Sequence, residues 1–263
     1  MPARTKTAPS AKPKKAPATR MSLAEVMAAL AKEGSAQTKK TYARHGAEEP
    51  MFGVSFAVLK TMYKRIGVDH ELALALWDTG NFDARNLAVK VVDPAKMSPT
   101  DLDRWAKTPT ARMCGGYVAA IAVEGPHGRS KAEAWLASTD EALRCSAWLL
   151  VAALAMRDEA TPDAWFSARL AEIEKTIRSA PNGQREAMNH AVIAIGCRNA
   201  SMRKAATAAA KRIGKVEVDH GNTACKTPEA GPYIEKSWAR SASRGFESPA
   251  AHVRSCESMR TRC

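Results

Sequence analysis

The chain has 263 residues, 45% of them hydrophobic, and a formal net charge of +13. That length allows one large domain or two small ones with ample core. No run approaches the ~18 uninterrupted apolar residues of a membrane span, and the N-terminus lacks an apolar signal-peptide core, so a cytoplasmic protein with no membrane partner is expected.

The first twenty residues hold six Lys and Arg and no acid. With almost nothing large and apolar to bury, residues 1–20 read as a disordered basic arm. From Met21 to about Lys215 the pattern is helical almost throughout. "SLAEVMAALAKEG" opens on Ser22 with Glu25 three residues later and stops at Gly34, a capping box closed by a C-terminal glycine. "SFAVLKTMYKRIG" repeats the layout from Ser55 to Gly67, "DHELALALWDTG" runs from Asp69 to Gly80, and "NFDARNLAVKVVDP" runs from Asn81 into Pro94. "SPTDLDRWAK" sets Ser98 as cap and Pro99 at the first helical position. Six further helical stretches follow, ending with "NASMRKAATAAAKRIG" at Gly214; "KVEVD" is the sole short strand candidate.

These segments are mostly ten to eighteen residues long and are joined by short Gly, Pro, Asn or Asp turns. Paired, they give units of roughly 35–45 residues, the range of HEAT-like helical repeats. The expected fold is therefore all-α: a curved superhelical solenoid over residues 21–236 with a basic concave groove. Lys215–Trp238 reads as loop, and the Ser- and Arg-rich residues 237–263 read as a poorly ordered basic tail.

The charge is uneven. The last 27 residues carry a net +3, leaving +4 for the body. A cationic chain points to a polyanionic partner, most simply nucleic acid; the plainer reading is a tail that aids solubility. The six cysteines form no CxxC pair and read as reduced thiols.

Several stretches carry a family resemblance. "YARHGAEEPMFGVSFAVLKTMYKRIG" is similar to an N-terminal helix pair, "ELALALWDTGNFDARNLAVKVVDP" holds the signature residues Leu76, Trp77, Asp83, Arg85, Leu87 and Ala88, and "AIGCRNASMRKAATAAAKRIGKVEVDHGNTACKTPEAGPYI" resembles one subgroup's C-terminal segment. Over about Thr41 to Trp238 the chain resembles the bacterial DNA alkylation repair family, the AlkD-like HEAT-repeat DNA glycosylases, as a divergent subgroup. The resemblance implies a superhelix that binds double-stranded DNA, hydrolysis of the N-glycosidic bond of N3- or N7-alkylated purines, and no cofactor. The leaving group is already cationic, so a carboxylate near the sugar and an aromatic platform suffice. It also implies an Asp near Arg112–Gly116, where no carboxylate stands. Asp219, Asp101 and, less directly, Asp103 remain as candidate acids. A second reading is a non-catalytic DNA-binding or lesion-sensing module on the same scaffold; a third is a protein–protein scaffold. A monomer is expected.

Candidate DNA contacts follow from the resemblance and the charge. Arg85 is either DNA-facing or paired with Asp83 along its helix. Trp105 lies among basic neighbours, Arg144 matches a middle-helix Arg of the family, and His190 stands where the family has an aromatic. Arg198, Lys204, Lys211 and Lys215 belong to a dense basic set; the spacings of seven and four place Lys204, Lys211 and Lys215 on one helix face, a phosphate stripe. In "VEVDHGNTACKTPEA", His220 and Cys225 with Asp219 fall short of the four ligands zinc takes, so no metal site is expected. That stretch reads first as a structured cap and second as a loop touching DNA through His220 and Lys226.

Overall fold

The computed structural model describes residues 20–108 and 112–262; the expected basic arm thus lies, apart from Arg20, outside the described residues. The helices are α1 (Leu23–Glu33), α2 (Ala36–Arg44), α3 (Phe56–Ile66), α4 (His70–Asp78), α5 (Phe82–Val91), α6 (Pro99–Lys107), α7 (Arg112–Glu124) and α8 (Gly128–Leu136). They continue as α9 (Glu141–Arg157), α10 (Asp163–Thr176), α11 (Asn182–Gly196), α12 (Ala200–Ile213), α13 (Ala230–Ala242), α14 (Pro249–Arg254) and α15 (Met259–Arg262). The described residues contain no strand, so "KVEVD" is loop.

The starts and stops are those the sequence specifies. Ser22 and Glu25 form the full capping box of α1, and Ser35, Ser55, Asp69, Asn81, Ser98, Asp140 and Asn199 each cap a helix through the side chain. Each such cap satisfies backbone N–H groups that have no partner inside the helix. Successive helices pair as α4/α5, α6/α7, α8/α9, α10/α11 and α12/α13, and the second members contact one another in a row, α5–α7–α9–α11–α13. This is a HEAT-like stack, in which each pair buries its apolar stripe against its neighbours.

One continuous core runs the length of the stack, from Val26 and Leu30 through Trp77, Trp105, Trp135 and Trp148 to Ile213 and Ile234. The Trp77 and Trp105 rings stack 4.1 Å apart and 6° from parallel. Close backbone approach is built in at Gly196, where a β-carbon would lie 2.5 Å from Ile234 on α13.

Two expectations at the C-terminal end are overturned. Ala230–Ala242 is helix, because Gly231 and Pro232 fall in its first turn, where a missing N–H costs nothing. The tail from 237 on is not poorly ordered: α13 to α15 pack back along the stack, Ala250 is fully buried, and Arg260 is buried. The folded unit therefore continues past 236 to residue 262. Polar anchoring holds this segment, which a search for apolar periodicity overlooks.

Candidate nucleic-acid interface

Arg144 stands on the first turn of α9. It is half-buried in a cleft between the start of α9, the end of α10 and the start of α11, beside Thr176, Ser179, Gln184 and Met188. Its guanidinium makes no hydrogen bond or ion pair among the described residues, although Glu141 shares the cleft. A partly desolvated guanidinium with no carboxylate partner is suited to bind phosphate bidentately.

The loop 214–229 docks on the same end of α11. Asn182 donates from Nδ2 to the Asp219 carbonyl at 2.8 Å and accepts from the Asp219 N–H at 2.8 Å. Asn189 donates to the Pro228 carbonyl at 2.9 Å. The His220 ring lies between Thr227 Oγ1 at 2.9 Å and Glu186 Oε1 at 3.9 Å. Its neighbours Cys225 and Lys226 are exposed. Arg144, Asp219 and His220 thus lie beside the N-terminal half of α11, with His190 exposed two turns along it. Asn182 and Asn189, the anchors of this arrangement, had no signal in the sequence beyond being polar in an apolar helix.

Next to α11 lies α12, whose Lys204 and Lys211 are exposed and unpaired among the described residues. Lys215 does not share their helix face. Gly214 ends α12 with φ 75°, and Lys215 instead pairs with Glu217 at 2.7 Å. Arg203 is paired with Glu235, and Arg212 with Glu174 at 2.7 Å. The Arg212 guanidinium holds the Glu174 carboxyl below the usual carboxylate range. The stripe is therefore two lysines, not three.

Two residues expected at DNA are inside the fold. Trp105 is fully buried against Trp77 and has no face to offer a base. Arg198 is buried, donates to the carbonyls of Ala155, Asp158, Glu159 and Thr161, and pairs with Asp163 at 3.0 Å. It closes the α9–α10 turn over the Phe166 ring. Arg85 is half-buried, with Nε on the Trp77 carbonyl at 3.3 Å and its guanidinium 5.4 Å from the Trp77 ring. It does not pair with Asp83, which accepts from three backbone N–H groups of the 52–54 loop.

The candidate acids are also committed to holding structure. Asp101 accepts from Ser98 Oγ at 2.6 Å and from Arg104, and the Ser98 bond above all holds its carboxyl below the usual range. Asp103 ties α6 to α8 through Lys131 and Trp135. Asp219 turns back onto its own loop at Gly221 N–H, 2.8 Å away. Neither Asp101 nor Asp103 belongs to the cleft at Arg144. Side chains 112–115, at the position where the family's Asp is expected, lie outside the described residues; by sequence they are Arg, Met, Cys and Gly.

A family model described as DNA alkylation repair enzyme matches residues 26–234. The chain belongs to this family. Uncharacterized proteins of Listeria monocytogenes and Listeria innocua are each 28% identical to it over 206 residues, covering 76% of this chain and 90% of theirs. A solved structure is similar with a TM-score of 0.77 and 32% identity, covering 87% of this chain and 98% of that one. That structure is described as a new family of proteins related to the HEAT-like repeat DNA glycosylases with affinity for branched DNA structures. The present chain has the helical scaffold of this family, and its segment from Pro109 to Gly116 contains no acid.

Proposed function

We propose that this protein binds DNA through its phosphate backbone at the Arg144 cleft and the Lys204–Lys211 face, prefers branched DNA to plain duplex, and does not excise bases. The observation that carries the reading is the state of the carboxylates. Asp101 and Asp103 are tied up in helix capping and helix–helix contacts and do not line the Arg144 cleft, and Asp219 is folded into its own loop. Glycosidic hydrolysis needs a charge stabiliser at the developing oxocarbenium ion, and none of these groups is free to supply it. Glu141 shares the cleft with Arg144 and is the one acid there whose removal would test the point. The preference for branched DNA is taken from the similar solved protein, whose affinity is for such structures.

The test pairs two measurements on the full chain. Binding to a three-way junction and to a duplex of equal length is compared as salt is raised, and base release is followed from a duplex with one N7-methylguanine at saturating protein. Tighter junction binding, a salt slope of about three to four phosphates that falls in Arg144→Ala, and no base release are expected. Release above background that disappears in Glu141→Gln would replace this reading with a glycosylase. Equal weak binding to both DNAs with no salt slope would favour a protein–protein scaffold.

A further inference from the structure

We infer that residues 238–262 form a strap that sets the curvature of the superhelix. In a helical-repeat stack each unit touches only its neighbours, so curvature is the sum of small local angles and bends easily. This chain adds an element that crosses that rule. From the end of α13 the chain runs back along the row of second helices: α14 rests on α9, and α15 on α7, α5 and α3.

Its contacts fall on the C-terminal ends of those helices. Trp238 Nε1 donates to the Gly196 carbonyl at 2.8 Å and the Ala250 N–H donates to the Cys197 carbonyl at 3.0 Å, both at the end of α11. At the end of α9, Arg157 donates to the Glu257 carbonyl at 3.3 Å, and Arg254 pairs with Glu159 at 3.0 Å. At the ends of α7 and α5, Arg260 pairs with Glu124 at 2.7 Å and directs Nη1 at the carbonyls of Val89, Lys90 and Val92. Buried Lys90 returns a bond from Nζ to the Arg260 carbonyl at 2.9 Å, between the Tyr117 and Phe56 rings.

The last carbonyls of a helix have no partner within it and form its negative pole. One segment supplies donors to that pole on α11 and α5 and is held by Arg157 at the end of α9. It thereby joins repeats that do not touch each other, with up to 171 residues of sequence between partners. Arg144 and Arg157 stand at opposite ends of α9, about 20 Å apart by helix rise, so the strap lies along the edge opposite the Arg144 cleft. A tie along one edge of a row of helices fixes how far the other edge opens. The strap also lies beyond residues 26–234, the span the family model matches.

The experiment releases the strap and measures shape. In one variant a site-specific protease sequence replaces the exposed turn at Arg244 and Gly245, and the purified protein is cut; in a second, Arg260→Ala weakens the strap in the full chain. Far-UV circular dichroism reports helix content, limited proteolysis reports strap release, and small-angle X-ray scattering reports the radius of gyration. The expected result is retained helix in α1–α12, a released segment and a larger radius of gyration, with Arg260→Lys closer to the parent than Arg260→Ala. A released strap with an unchanged radius would overturn the inference. So would loss of helix throughout in both variants, which would make the segment part of the folding core and not a setting of its curvature. Neither outcome depends on whether DNA is the ligand.

Discussion

Asp83→Ala is the substitution that most sharply separates a structural role from a DNA-facing one. Asp83 is fully buried at the start of α5. Its carboxylate accepts from the N–H groups of Phe52 at 2.6 Å, Gly53 at 3.0 Å and Val54 at 2.7 Å. The loop that presents them is held in shape by Gly53, at φ 82°, where a β-carbon would lie 2.5 Å from the Ser35 carbonyl oxygen. Alanine leaves three donors without an acceptor, and each such buried donor costs about 1–3 kcal/mol. Relief of carboxylate desolvation and water reaching the partly exposed Phe52 N–H offset part of that, so the net loss is about 3 kcal/mol. That is a large share of the roughly 5–15 kcal/mol available to a domain. Urea denaturation followed by circular dichroism should show a lower midpoint with an unchanged slope. Asp83→Asn, which keeps one acceptor oxygen, should fall between the two. A loss below about 0.5 kcal/mol, the range of neutral surface changes, would refute the reasoning. So would weaker DNA binding at unchanged stability, which would place Asp83 at the ligand.

Burial pushes the Cys197 thiol up to about 11, whereas Cys225 is exposed. Iodoacetamide at pH 8, read by peptide mass spectrometry, should modify Cys225 readily and Cys197 only on unfolding, since the thiolate is the reactive form; early labelling of Cys197 would contradict the packing. For Asp103, burial opposes ionisation but the Lys131 and Trp135 bonds outweigh it and hold the carboxyl below its usual range. A folded-state pKa below the unfolded one gives stability that is present above about pH 4 and lost as pH falls through the folded value. Asp103→Asn should therefore melt below the parent at pH 7, with the gap closing in acid; a gap independent of pH would show that its origin is not the carboxylate charge.

The helical architecture was legible because it rests on local rules. Ser22 with Glu25, Ser98 with Pro99, and Asn199 each announce a helix start, and Gly34, Gly67 and Gly214 each mark a stop. The short α2, Ala36–Arg44, had no apolar stripe to mark it; Tyr42 is its one buried side chain. The C-terminal strap was illegible for the same reason. Its fold depends on Arg260 and Trp238 reaching carbonyls far away in sequence, and Arg in a Ser-rich tail carries no periodic trace of such a target. Of the residues expected at DNA, Lys204 and Lys211 are exposed and Arg144 is half-buried in a cleft, whereas Trp105 and Arg198 were misread: their residue type suited DNA and their burial did not.

That misreading exposes how the positive charge is divided. Arg198, Arg203, Arg212, Arg254 and Arg260 all close contacts within the protein, to carbonyls or to acids on neighbouring helices. The exposed cations without partners among the described residues are mainly lysines, Lys204, Lys211 and Lys226 among them. The division follows from the side chains. A planar, weakly hydrated guanidinium can satisfy several carbonyls at once inside a fold, whereas a strongly hydrated ammonium on a flexible stem is easier to leave in water. Among the described arginines that are at least half-buried, Arg144 is therefore the exception that carries information: it has no internal partner, in a chain that uses buried arginine to staple helices together. If the net charge of +13 were spread as a general DNA footprint, removing one cation would barely change binding. Most of the described arginines are consumed by the fold, so on the proposed reading Arg144→Ala should weaken DNA binding more than removal of any one exposed lysine.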